Sequence, residues 1–293
     1  MEKSKVYLTK EINSEALIRI FKSLNIELKG KVGIKVSTGE KGSNGYLKWD
    51  LIGNLADATN ASILECNTAY AGKREKTQEH LEVAKEHGFK NVDIMDADGE
   101  VKLEVKNGKH LKYDIVGKNF LNYDSIINLA HGKGHAMGGF GANLKNQSIG
   151  IASRNGKAYI HSCGQTEIPE EAWTVKYEQE DFIESMAEAA KAVSDYINEN
   201  NRQIVYITVM NYLSVDCDCD KNQSDPVMND IGIIASLDPV SNDQAFIDFI
   251  WNSKEENAKL LRERIDTRKG RHILEYAKQI GLGTRNYELI EIK

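Results

Sequence analysis

Apolar positions recur along the chain in two rhythms that alternate. Leu17, Ile20, Phe21 and Leu24 stand at i, i+3, i+4 and i+7 behind a capping residue, Asn13 or Ser14, which predicts a helix with one apolar face. Strand-like runs at 5–8 and 31–36 flank it. A helical stretch at 47–58 leads into a strand at 61–66. Thr77 then opens a helix that reaches His87 and stops at Gly88, and a strand at 91–95 follows. This β-α-β-α-β alternation predicts a largely parallel sheet.

The rhythm changes beyond 95. Runs at 101–105 and 110–116 flank Asn107-Gly108, a hairpin signal, and 125–129 reads as another strand. Residues 131–161 are rich in Gly, His, Lys and Asn without sustained periodicity, so they read as a loop region of the kind that carries function. Past Pro169, the stripe Phe182, Met186, Ala189, Val193 and Ile197 marks a helix. Strands at 204–210 and 231–235, helices at 241–251, 254–265 and 271–280, and a strand at 287–292 complete the pattern. The fold class expected is α/β, a mixed, largely parallel sheet with helices packed on both faces.

Composition narrows the function classes. With 41% apolar and 28% charged residues the chain carries enough apolar surface for a buried core. Its 38 basic and 44 acidic residues leave −6, which argues against a nucleic-acid binder working through a basic field. No apolar run of about 18 residues is present, so no membrane span is expected. The opening MEKSKVYLTK lacks the apolar stretch of a signal peptide, and four cysteines are too sparse for a disulfide scaffold. A cytoplasmic location is expected.

Five segments hold candidate chemistry. The loop from Lys35 to Tyr46 offers Lys35, Thr38, Lys41 and three glycines, either as a cradle for a phosphate or carboxylate or as a flexible polar loop. The run NTAYAGKR at 67–74 brings Tyr70, Lys73 and Arg74 to the end of another strand, where open α/β sheets bind ligands; a solvated loop is the alternative. The stretch HGKGHAMGGFGANLKN at 131–146, followed by His161 and Cys163, concentrates His131, His135 and His161 as candidate metal ligands beside Lys145. In DCDCD at 216–220, thiols and carboxylates alternate, so Cys217 and Cys219 would face one way in extended chain, with the aspartates opposite. That spacing is neither a zinc ribbon nor a ferredoxin motif. Asp243 is either a ligand or a helix first-turn carboxylate.

Read together, these blocks resemble the bacterial and archaeal family called domain of unknown function 362, whose members are often described as iron–sulfur proteins. The resemblance rests on IKVSTGE at 34–40, NTAYAGKREKTQEH at 67–80 and HGKGHAMGGFGANLKNQSIGIASRNGK at 131–157. CDCD at 217–220, DIGIIASLDPVSNDQA at 230–245 and IGLGTRNYELI at 280–290 extend it. It implies one family domain over 1–293, or two α/β lobes meeting near 163–178. Many members carry a ferredoxin-like insert after the His161–Cys163 region; here 165–179 has no cysteine, so no [4Fe–4S] cluster is expected. Cys66 stands where the family leads one to expect aspartate. In site composition the chain is also similar to the nickel-pincer lactate racemase family, without that family's full motifs.

The reading that follows is a metal- or cofactor-dependent protein acting on a small anionic molecule. Its metal (zinc, iron or nickel on ligand softness) would be held by His131, His135 and His161, with Cys217 and Cys219 as alternatives or a second set. Lys35, Thr38, Tyr70, Lys73 and Arg74 would bind the anion, and Lys145, Asp216 and Asp218 would take catalytic roles. A redox role would call for a separate electron-transfer protein. A non-catalytic carrier of metal or cofactor is the alternative.

Overall fold

The computed structural model describes residues 3–218 and 224–293. Its first part alternates as the pattern predicts: β1 (Ser4–Thr9), α1 (Ser14–Ser23), β2 (Val32–Lys35), α2 (Trp49–Thr59), β3 (Ser62–Glu65), α3 (Thr77–Glu86) and β4 (Val92–Ile94). The hairpin β5 (Glu100–Glu104) and β6 (Tyr113–Gly117) then leads to β7 (Ser125–His131). Next come β8 (Lys133–His135), β9 (Gly139–Gly141), α4 (Asn143–Ser148), α5 (Arg154–His161) and α6 (Pro169–Ala172). The chain closes with α7 (Gln179–Glu199), β10 (Gln203–Met210), β11 (Gly232–Ser236), α8 (Pro239–Asn252), α9 (Ala258–Thr267), α10 (His272–Gln279) and β12 (Tyr287–Glu291).

Local chemistry sets several of these boundaries. Asn13 Oδ1 accepts from Ala16 N at 2.8 Å and starts α1. Asp238 Oδ1 accepts from Val240 N and Ser241 N, and Pro239 takes the first turn, so the Asp-Pro pair opens α8.

Eight strands form one sheet in the order β12-β1-β11-β10-β7-β2-β3-β4. Strands β10, β7, β2, β3 and β4 pair in parallel, as do β1 and β12, while β11 runs antiparallel to both neighbours. Period-2 alternation sends side chains to two cores. Ile127, Leu129, Ile233 and Ala235 join Leu17, Ile20, Ile52 and Leu55 on the α1–α2 face. Ile126 and Ile234 join Phe182, Phe246 and Leu261 on the other. The mixed, largely parallel sheet with helices on both faces is therefore present.

One local expectation needs correction. The stretch 131–161 is not a loop: it contains β8, β9, α4 and α5. Strands of three residues and helices of six and eight are too short for periodicity to register. The hairpin signalled by Asn107-Gly108 is present: β5 and β6 pair antiparallel from Glu104 opposite Tyr113, residues 105–112 connect them, and Asn107 is left-handed at φ 56°.

Strand order reverses between β2 and β7, and the chain opens there. Asn146 Nδ2 spans the split, donating to Lys35 O of β2 at 2.9 Å and to Asn128 Oδ1 of β7 at 2.6 Å.

Candidate functional site

Above this reversal lies a cavity of about 700 Å³. Loops after β2, β3 and β10 and the β8–α5 stretch line it with Lys35, Arg74, His135, Lys145, Lys157 and His161. All follow the carboxyl ends of sheet strands, as expected for an open α/β sheet.

One wall is a buried ion network centred on Glu65. Lys35 Nζ lies 2.9 Å from its Oε2 and Arg74 Nη1 lies 3.2 Å from its Oε1. Thr38 donates to the same Oε1 from its backbone N–H at 2.9 Å and its hydroxyl at 3.1 Å. Arg74 continues to Glu40 Oε2 at 3.4 Å and to the Tyr70 hydroxyl at 2.8 Å. Burial alone would raise the Glu65 carboxyl, but Lys35 and Arg74 overrule it and hold it at about 2. Four of the five expected anion-binding residues, Lys35, Thr38, Tyr70 and Arg74, are thus brought together. Glu65 and Glu40 already neutralise their two cations. Lys73 lines the cavity but is exposed and pairs with Glu79 at 3.1 Å.

The uncompensated charge sits elsewhere. Lys145 Nζ has no hydrogen bond or ion pair among the described residues. Burial and its cationic neighbours Lys35, Lys157 and Arg74 push its pKa down to about 8, with Asp218 opposing. Lys157 Nζ donates to the Ala152 carbonyl at 2.5 Å and has no carboxylate partner among the described residues. Two lysines therefore present charge with little internal compensation.

Both cavity histidines are neutral. His135 Nδ1 accepts from Gly138 N at 2.9 Å and Met137 N at 3.2 Å, which leaves the ring proton on Nε2. Burial, then Lys145 and His161, hold its pKa well below the ordinary range. His161 stacks on Phe182 with centroids 4.8 Å apart, and Trp173 covers it at 5.1 Å. Its Nδ1 is buried without a partner among the described residues. Burial, Lys145 and Lys157 push it down to about 3.

His131 does not line this cavity. Its Nε2 donates to Asn211 O at 2.8 Å and its Nδ1 meets Asp218 Oδ2 at 3.2 Å. Asp218 also binds Lys133 Nζ, and this triad lines a smaller cavity of about 90 Å³ next door, which shares Lys145 and Cys217 with the main one. Burial would raise the Asp218 carboxyl, but Lys133 and His131 hold it well below the carboxylate range. Asp216 lines the main cavity and pairs with Arg264 at 3.1 Å. Cys217 lines it too and is disulfide-bonded. Cys219 lies outside the described residues.

This donor set is poorly disposed toward a bare metal ion. His131 has both nitrogens engaged, and His135 would have to give up its Nε2 proton. The neighbouring carboxylates are paired with Lys35, Arg74 and Arg264. His161 is the cavity imidazole with an unengaged nitrogen, and surrounding cations oppose a second positive charge. Among the described residues the cavity thus presents cationic and neutral groups with few carboxylates left unpaired, and His161 could give one ligand to a metal-bearing group.

Sequence reading missed Glu40, Glu65, Lys157 and Trp173. Glu65 and Lys157 stand at a strand end and inside an Asn-Gly-Lys turn-like run, both positional signals that composition alone does not raise.

The chain was compared with known proteins. A family model described as Domain of unknown function (DUF362) matches residues 32–248. The comparison with curated proteins gave no match. Two solved structures are similar. One is the lactate racemase apoprotein from Thermoanaerobacterium thermosaccharolyticum, with 14% identity, a TM-score of 0.46 and coverage of 84% of this chain and 57% of that one. The other is a protein from Thermotoga maritima, with 12% identity, a TM-score of 0.39 and coverage of 87% and 58%. This chain spans under two thirds of either solved chain. Among the described residues no helix is long and apolar enough to cross a membrane.

Proposed function

The chain belongs to the DUF362 family, and on that footing we propose that it is a cofactor-dependent enzyme acting on a small carboxylate or phosphate anion. The observation that carries this reading is the pair of uncompensated ammonium groups, Lys145 and Lys157, facing the neutral imidazoles His135 and His161 inside one cavity. Lys145 and Lys157 attract the anion. The His135 Nε2–H donates to one of its oxygens. The Glu65 network fixes the shape of the opposite wall.

A lysine held at about 8 is populated in both protonation states near neutral pH, so Lys145 is suited to carry a proton to and from the substrate. Burial is the main cause of the low His161 pKa; a bound anion would offset the smaller part that comes from Lys145 and Lys157. An organic cofactor would supply electron-handling chemistry that these side chains lack, and a redox version of the reaction would require a separate electron-transfer partner.

Calorimetric titration of the full chain with inorganic phosphate and a series of two- to four-carbon carboxylates tests the reading. Lys145→Ala and Lys157→Ala should each weaken anion binding at least ~10-fold, the size of one lost charge-assisted contact. Lys73→Ala should leave it within about two-fold, as for an exposed ion pair. Equal effects of all three variants, or none, would contradict it. Hydrogen exchange of a bound carboxylate in D2O, lost in Lys145→Ala, separates an enzyme from a carrier.

A further inference from the structure

A second cluster of ligand-type side chains lies outside the cavity. Along α7, Asp181, Glu184 and Glu188 share one face at i, i+3 and i+7. The connection between β5 and β6 brings His110 against them, and His272 at the start of α10 closes from the other side. His110 Nε2 lies 2.7 Å from Glu184 Oε2 and 3.9 Å from Asp181 Oδ1. One donor atom from each of His110, Asp181 and Glu184 falls within 4.8 Å of the others. From these juxtaposed donors we infer that His110, Asp181 and Glu184 form a binding site for a divalent first-row transition metal of the zinc type.

The frame around the cluster is rigid. Glu188 accepts from the backbone N–H of Lys109 at 2.7 Å, His110 at 3.1 Å and Leu111 at 2.8 Å, and from the Tyr276 hydroxyl at 2.7 Å. A single carboxylate thus fixes the backbone that carries His110. His272 Nε2 holds the other oxygen of Glu184 at 2.9 Å, the way an outer partner orients a metal-ligating carboxylate.

Geometry agrees with a tetrahedral ion. Zinc bonds of about 2.0–2.2 Å place neighbouring donors roughly 3.3 Å apart. The distances of 2.7 and 3.9 Å bracket that value and the Asp181 and Glu184 donors lie within 4.8 Å of each other, so closure draws the half-exposed Asp181 side chain inward. One imidazole and two carboxylates suit zinc, cobalt, manganese or ferrous iron better than calcium. Lys109 Nζ stands at 2.7 Å from Glu184 and would compete, but its side chain is 59% exposed and free to swing into water. Water would fill the fourth position. The ion would tie the hairpin, α7 and α10 together. Because Phe182 of α7 stacks on His161, it would also stiffen one wall of the cavity.

The test uses the full chain stripped with chelator and titrated with Zn²⁺ and Co²⁺. We expect one saturable site, a rise in thermal midpoint on Zn²⁺ addition, and visible Co²⁺ absorption of tetrahedral intensity. His110→Gln should weaken Zn²⁺ at least ~10-fold, and Asp181→Asn likewise. Asp181 has a 36% exposed side chain, so this second variant keeps the fold and the test stands even if His110→Gln is unstable. His161→Ala should leave Zn²⁺ affinity unchanged, which separates this site from the cavity. No saturable binding, or equal affinity in wild type, His110→Gln and Asp181→Asn, would overturn the inference.

Discussion

At the scale of single residues, charge compensation divides the site. Glu65 is buried between Lys35 and Arg74, so Glu65→Gln strands two buried cations. The expected loss is about 3–5 kcal/mol in denaturant unfolding, against ~0.5 kcal/mol or less for breaking the exposed Lys73–Glu79 pair. Lys145, held at about 8, should react with an amine-selective anhydride at a lower pH than ordinary surface lysines, and saturating phosphate should protect it. Peptide mapping across pH 6–10 reads both effects; late, unprotected labelling would remove Lys145 from the site. Lys145, His135 and His161 stand out in the sequence in or just after a glycine-rich stretch, and the fold gathers them around one cavity. Their roles were not legible in the sequence, since the tautomer of His135 depends on backbone N–H groups that only the fold places.

At the scale of elements, short pieces escaped the pattern that revealed long ones. The ten-residue α1 showed its apolar stripe, while the six-residue α4 could not. What holds α4 is distant in sequence. Asp243 of α8 accepts from Asn143 N at 2.8 Å and Leu144 N at 2.9 Å, capping a helix other than its own. Neither reading of Asp243 from sequence, ligand or dipole partner of its own helix, contains that cross-helix role. Asp243→Ala leaves two buried N–H groups unpaired and should cost about 2–4 kcal/mol. Because α4 carries Lys145 and Asn146, anion binding should weaken too, which calorimetry on the folded variant would show. Gly150 allows the same close approach: a Cβ there would stand 2.1 Å from Asn146 O and 2.8 Å from Lys35 Cε.

At the scale of the whole molecule, the parallel character of the sheet was legible from the β-α alternation. The order of its strands was not, because β7 enters beside β2 through contacts far apart in sequence. Buried titratable groups spread over this architecture set the dependence of stability on pH. His80 and His161 have folded pKa values depressed from 6.5 to about 3, so their contribution is present above 6.5 and fades as pH falls. Asp114 and Asp243 are raised from 3.8 to about 8 and about 7, so theirs is present below 3.8 and fades as pH rises. Between about pH 4.5 and 6.5 the two slopes oppose each other. Below 4.5, Glu65 and Glu184, both lowered to about 2, add to the histidine loss. His87, His131 and His135 are lowered as well and Asp238 is raised, so five histidines outweigh three aspartates: thermal midpoints should fall gradually from pH 6.5 to 4.5 and steeply below, and midpoints that rise as pH falls through this range would contradict the assignment of the histidines.

The central claim is that the cavity over β2 and β7 holds an anion. A crystal structure of the full chain, isolated without oxygen and grown without sulfate or phosphate, tests it most directly. Density for an anionic molecule should appear within hydrogen-bond reach of Lys145 Nζ and His135 Nε2, with the Glu65 network unchanged. A cavity filled by water alone, with Lys145 turned onto a carboxylate, would contradict it.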